Sequence, residues 1–314
     1  MFADKEVHSL TTVVFTIFVI SSELLARISE VIKTMIERIL LADSGTGHSE
    51  EMLKALLAIP SVQRASVTIL HVVPQERSAE AMETKRQEGE ALIATVAERL
   101  KLDPTKVTIM LRMGDPKTVV CQVAEEVNTD LIIMGSRGLK RLTSILSNSV
   151  SQYVFQLSSR PMLLVRDDLY VRPIQRVMVA IDKSDTAKRC LDLAIFLLRD
   201  IPGGRLHLVH ADANAKEDLS GAAAEKDAIL AAALAQAKRY DIETRCWVAA
   251  GSAGQAICRT AEDVRADLLL LGSPDRRPSI AKSLPDLDRL LGSSLSDYVR
   301  VHANCPVLMA RTAG

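Results

Sequence analysis

The chain repeats itself, and that duplication limits the fold more than any other feature of the sequence. Residues 36–57, IERILLADSGTGHSEEMLKALL, return as 174–198, IQRVMVAIDKSDTAKRCLDLAIFLL, with Asp43 matched to Asp182. VTILHVVP at 67–74 returns as LHLVHADA at 206–213, with His71 matched to His210. The stretch from Gly114 to Gly138 reads like Gly251 to Asp275, and Gly114/Gly135 and Gly251/Gly272 are both 21 residues apart. SQYVFQLSSRPMLLVR at 151–166 closes the first copy as SDYVRVHANCPVLMAR at 296–311 closes the second. The chain therefore divides into an N-terminal extension (1–34), repeat 1 (35–166), a short linker DDLYVRP (167–173) and repeat 2 (174–314).

Two domains suit the 314 residues, of which 48% are hydrophobic and 25% charged. The net charge is zero, so bulk electrostatics point to neither nucleic acid nor an anionic membrane as partner. Five scattered cysteines (Cys121, Cys190, Cys246, Cys258 and Cys305) form no CxxC pair and read as reduced core thiols of a cytoplasmic protein. The apolar run Leu10 to Ile20 is eleven residues long, short of the ~20 that a membrane span needs, and no cationic segment precedes it. Residues 1–34 read either as a helix packing on the protein or a partner, or as residues upstream of a natural start at Met35. Their position outside the repeat favours the second.

Each repeat alternates strand and helix patterns. The strands are unbroken apolar runs such as Leu131–Met134 and Leu268–Leu271, and helical patterns such as 78–102 and 221–240 lie between them. Runs of that kind suit parallel strands covered on both faces, which makes the fold class α/β, with two tandem doubly wound parallel five-stranded sheets of Rossmann-like type. In such sheets ligands bind outside the carboxyl ends of the strands. Asp43 and Asp182 stand at the end of the first strand of each repeat, Val72 and Ala211 at the second, and Gly135 and Gly272 at the fourth.

After the fourth strand of repeat 1 the chain reads Gly135-Ser-Arg-Gly138, then nine residues, then Asn148-Ser149 ahead of a helical pattern. Glycines let backbone approach a ligand, and a helix amino end offers unpaired N–H groups to phosphate. The fixed spacing favours a phosphate cradle over a plain turn. GTGH at 45–48 does not complete GxGxxG, and no Walker Gly-Lys-Ser/Thr occurs.

These motifs resemble the universal stress protein family in a tandem form, over nearly everything from Met35 to Arg311. ATP-binding members of that family carry Gly-x2-Gly-x9-Gly-Ser/Thr after the fourth strand and an Asp after the first. The resemblance implies an adenine-nucleotide α-hydrolase-like sandwich with ATP, alone or with Mg2+, across the strand ends. It implies cofactor-binding roles for Leu41, Asp43, Val72, Met134, Gly135, Arg137, Gly138, Asn148, Ser149 and Val150. A weaker second site would use Ala180, Asp182, Ala211, Gly272, Ser293 and Ser294. It further implies an unidentified protein partner, an intrachain pseudo-dimer and a homodimer.

Both repeats depart from the family pattern. Asn148 replaces the third glycine, and asparagine tolerates left-handed backbone and caps helices. In repeat 2, Asp275 replaces a glycine and an eight-residue insertion follows, bringing Arg276, Arg277 and Lys282. A carboxylate there repels phosphate, so the nucleotide is expected in repeat 1. Asp43 and Asp182 suit helix capping as well as ribose contact, and Arg137, Lys140 and Arg141 suit a solvated loop face. His71 and His210 fit a core hydrogen bond better than acid–base work. With no metal cluster, no Ser-His-Asp set and no second carboxylate at an evident strand end, the chain reads as a nucleotide-responsive binding module. The alternatives are a scaffold whose repeats pair through PMLLVR and PVLMAR, and a slow ATPase.

Overall fold

The computed structural model describes residues 36–45, 47–136, 150–273 and 294–311. The calls on residues 1–35, on Arg137, Gly138, Lys140, Arg141, Asn148 and Ser149, and on Asp275, Arg276, Arg277, Lys282 and Ser293 lie outside the described residues. In repeat 1 the order is β1 (Arg38–Ala42), α1 (His48–Leu57), β2 (Ser66–Val73), α2 (Ala79–Leu100), β3 (Val107–Met113), α3 (Pro116–Glu126), β4 (Leu131–Ser136), α4 (Val150–Leu157) and β5 (Met162–Arg166). Repeat 2 follows with β6 (Arg176–Ala180), α5 (Asp185–Leu198), β7 (Arg205–Asp212), β8 (Leu219–Ser220), α6 (Ala228–Lys238), β9 (Glu243–Ala250), α7 (Ala253–Asp263), β10 (Leu268–Gly272), α8 (Leu295–His302) and β11 (Val307–Ala310).

The two five-stranded units are edge-joined into one eleven-stranded sheet in the order β3-β2-β1-β4-β5-β11-β10-β6-β7-β9-β8. Within each repeat the order 3-2-1-4-5 is parallel, because the helices between strands carry the chain back across the sheet. The one short antiparallel addition of repeat 2, β8 on β9, comes from the segment between β7 and α6. The helical pattern at 221–240 therefore overreaches: its first residues form a turn and the 3-10 helix Ala224–Lys226, and Asp227 caps α6 by accepting from Ile229 and Leu230 N–H at 2.9 and 3.0 Å.

Alternation along the strands supplies two cores. Ile39, Leu41, Ile69 and Ile133 face α1 and α2, whereas Leu40, Ala42, Leu70 and Met134 face α3 and α4, and repeat 2 follows the same rule. The register of the central pair is pinned identically in both repeats. Asp130 accepts Arg38 N–H at 2.9 Å and pairs with its guanidinium at 3.0 Å; Asp267 accepts Arg176 N–H at 2.9 Å and pairs at 2.9 Å.

The last strands of the two repeats meet antiparallel, Leu163 opposite Leu308, with Leu164 opposite Val307 and Met162 opposite Met309. Two arginines lock this join. Arg166, at the end of β5, donates to the carbonyls of Val301 and Ala303 at 2.6 and 2.9 Å, at the carboxyl end of α8. Arg311, just past β11, donates to the Phe155 carbonyl in α4 and lies 4.3 Å over the Phe155 ring. Each repeat thus neutralises the helix-end carbonyls of the other, where the helix dipole favours a cation. The linker is not a loose tether, since Asp167 N–H bonds Ser136 O at 2.9 Å and Val171 is buried in the core.

Candidate functional site

In a 3-2-1-4-5 sheet the strand order reverses between β1 and β4, and the connections leaving these strands run to opposite faces. A cleft of about 270 Å³ opens there in repeat 1, at the carboxyl ends of β1, β2 and β4. It is lined by Ala42, Asp43, Ser44, Leu70, His71, Val72, Pro116, Val120, Met134, Gly135, Ser136, Val150, Ser151 and Asp167. Of the residues expected from sequence, it brings together Asp43, Val72, Met134, Gly135 and Val150. Leu41 is not among the lining residues; its side chain is fully buried in the core under α1 and α2.

Asp43 follows β1 directly and is only 6% exposed. Its carboxylate accepts Ser49 Oγ–H at 2.6 Å and Gly45 N–H at 3.0 Å, which closes a turn and ties it to the first turn of α1. It is not the N-cap of that helix, which is Gly47. The Asp43 carbonyl accepts from His71 Nδ1 at 3.0 Å. Because a carbonyl can only accept, Nδ1 carries a proton and is the donor. Beneath Asp43, Glu50 is buried; that burial, with the nearby Asp43 charge, raises its carboxyl above the usual range, while Arg99 at 2.6 Å opposes the shift.

Two features were hidden in the sequence. Asp167, assigned to the linker, follows β5 and places a second carboxylate residue on the cleft. Only β5 running beside β4, with Gly135 opposite Val165 and Ser136 opposite Arg166, brings it there. Ser136 Oγ is buried without a hydrogen-bond partner among the described residues. A buried hydroxyl of that kind marks a place where a ligand group or water belongs.

Repeat 2 is built differently at the matching position. One extra residue, Ile181, stands between Ala180 and Asp182, and its N–H bonds Val209 O at 2.8 Å as Asp43 N–H bonds Leu70 O at 3.0 Å. The counterpart of Asp43 in space is therefore the buried Ile181, not Asp182 as the alignment suggests. Asp182 is displaced outward, exposed, and bonded to Ser184 N–H at 2.8 Å. Thr186 and the backbone of Ala187 crowd Gly272, so a Cβ there would lie 2.7 Å from Thr186 Oγ1. Ser294 caps α8, accepting from Asp297 N–H at 3.2 Å and donating to its carboxylate at 2.6 Å. His210 turns to the Asp227 carboxylate at 3.0 Å, whereas His71 meets a carbonyl. Burial pushes the Asp227 carboxyl upward, but the hydrogen bonds from Leu230, His210 and Ile229 prevail and leave it below the ordinary range. Ala180 is buried and Ala211 half-buried.

Among the described residues no group of three or more His, Cys, Asp or Glu is placed to hold a metal, and no helix is long and apolar enough to cross a membrane. Fold and cleft together define a tandem doubly wound α/β protein with a ligand-type cleft at the switch point of its first repeat. The universal stress protein family model matches residues 35–166 and again 173–311. The chain belongs to that family. Universal stress protein YxiE of Bacillus subtilis is 28% identical over 148 residues, which takes 42% of this chain and all of that one. Universal stress protein Sll1654 of Synechocystis is 32% identical over 117 residues, 37% of this chain and 74% of its own. Each such relative matches about one repeat. A solved universal stress protein structure from Archaeoglobus fulgidus shares the fold across both repeats, with a TM-score of 0.69 at 23% identity, covering 88% of this chain and 97% of its own.

Proposed function

We propose that this universal stress protein is a nucleotide-responsive regulatory module that binds ATP in repeat 1 and presents the result to a protein partner. The observation that carries the reading is Asp43, a buried carboxylate oriented by Ser49 and Gly45 on an open cleft, where repeat 2 carries Ile181. A ribose offers paired hydroxyls to such an acceptor. Leu70, Val72, Val120 and Met134 supply the apolar wall for a purine, and Ser136 Oγ the unmatched polar group. The phosphates are assigned to the sequence pattern of Gly135, Arg137, Gly138, Asn148 and Ser149, with Val150 opening α4 behind it. Asp43 and Asp167 are oxygen donors of the kind Mg2+ takes, so the ion would also offset their charge beside a triphosphate.

Calorimetry of the full chain with ATP and Mg2+ tests the proposal. Binding is expected, and Asp43→Asn is expected to weaken it about tenfold, roughly 1.4 kcal/mol. Absence of binding, together with no adenine nucleotide retained on gently purified protein by mass spectrometry, would overturn it and leave the scaffold reading. Phosphate release that disappears in Asp43→Ala would convert the module into a slow ATPase.

A further inference from the structure

The two ends of the sheet are finished differently. At the repeat 2 end, β9 is covered by the chain itself: Leu219 and Ser220 pair antiparallel with Val248 and Trp247, and Gly221 N–H donates to Cys246 O at 3.1 Å. Ala250 N–H donates to Asp218 Oδ1 at 2.7 Å. Aligning Gly251 with Gly114 puts Cys246 on Ile109 and Ala250 on Met113. In repeat 1, β3 is the terminal strand among the described residues, and these same two side chains, Ile109 and Met113, are each 51% exposed.

The backbone direction agrees. Gly114 N–H donates inward to Val73 O at 3.0 Å, so alternation turns the even-numbered residues of β3 toward β2. Val107, Ile109, Leu111 and Met113 therefore present their N–H and C=O groups outward. A long apolar edge of that sort is a template for another strand.

We propose that the outer edge of β3 is a dimer interface on which a second copy of this chain pairs its own β3 antiparallel. The strand can pair with itself with the two-fold axis at Met110. Val107 then exchanges bonds with Met113 and Ile109 with Leu111, using the outward-facing groups, while Thr108 lies opposite Arg112. At each end the exposed Lys106 comes beside the exposed Asp115 of the other copy, giving an opposite-charge pair twice. Shifting by one residue turns side chains to the wrong face, and centring on Arg112 sets that cation against itself. β8 on β9 is the precedent within this molecule for an antiparallel segment at the same place. The interface is independent of any nucleotide.

Sedimentation of the full chain over about 1 to 100 µM tests this. The wild type is expected to approach twice 34.3 kDa as concentration rises. Ile109→Lys should weaken association at least about tenfold. Lys106→Glu should weaken it less, because two carboxylates then meet at each end. In hydrogen exchange the amides of Ile109, Leu111 and Met113 should slow with concentration, and those of Met110 and Arg112 should not. This arm uses the unaltered protein and holds if a variant fails to fold. A wild type that stays monomeric, or a dimer indifferent to Ile109→Lys with no concentration effect on these amides, would overturn the proposal.

Discussion

Replacing Arg166 with methionine should destabilise repeat 2, although Arg166 belongs to repeat 1. Its guanidinium side chain is 7% exposed, donates to Val301 and Ala303 carbonyls across the join, and pairs with Asp168 at 2.9 and 3.0 Å. Hydrogen bonds to a charged group contribute about 1.5–3 kcal/mol each, and breaking a buried pair costs about 3–5 kcal/mol. These effects overlap, and the carbonyls at a helix end regain some water. The expected loss is about 3–5 kcal/mol. Urea unfolding followed by Trp247 fluorescence reads repeat 2 directly, because Trp247 is the single tryptophan of the chain. The control is Asp168→Asn, which removes the local ion pair and leaves the cross-repeat caps. If Arg166→Met lost no more than Asp168→Asn, the caps would contribute nothing and the account of the lock would be wrong.

Two further outcomes follow from the interior. Burial, with Arg245, Arg205 and Arg176 nearby, pushes the His207 imidazole down to about 4, against 6.5 when unfolded. Between those values the unfolded chain takes up a proton that the folded chain refuses, so stability falls as pH drops through that window and then levels. The His207 share is about 2–3 kcal/mol by pH 4.5; His207→Gln should flatten the wild-type fall in urea midpoint between pH 7.5 and 4.5, and parallel curves would refute the assignment. In α2, Gly89 faces β2, and a Cβ there would lie 2.9 Å from Val73 Cγ2 and 3.1 Å from His71 Cδ2. Gly89→Ala should therefore cost about 1–2 kcal/mol in spite of its better helix propensity, because Val73 is buried and β-branched. A thermal melt that rises would show that the helix can shift without strain.

The alternation of apolar runs and helical patterns was enough to give the order of strands and helices in each parallel unit and to place its central strands, because strands covered on both faces are apolar throughout, whereas the outer β3 and β9 carry charged residues and left no such run. It also placed Asp43, Val72, Met134 and Gly135 at one end of the sheet, since the end of each strand follows from where the apolar run stops. The sequence does not show which neighbour a strand end acquires. Asp167 reached the cleft only because β5 lies beside β4, and its charge made it read as linker. The single-residue offset at Ile181 was equally hidden, because matching aspartates by type outweighed the count of residues after the strand. β8 is too short, at two residues, to leave a periodic signal.

The antiparallel join of β5 to β11 also changes what a substitution means. In an assembly of two identical polypeptides every altered side chain appears twice, so a cavity is opened or closed in both halves together. Here the halves are covalently distinct, and one can bury an isoleucine at the position where the other keeps its acid. The pairing thereby permits a division of labour that symmetry would forbid.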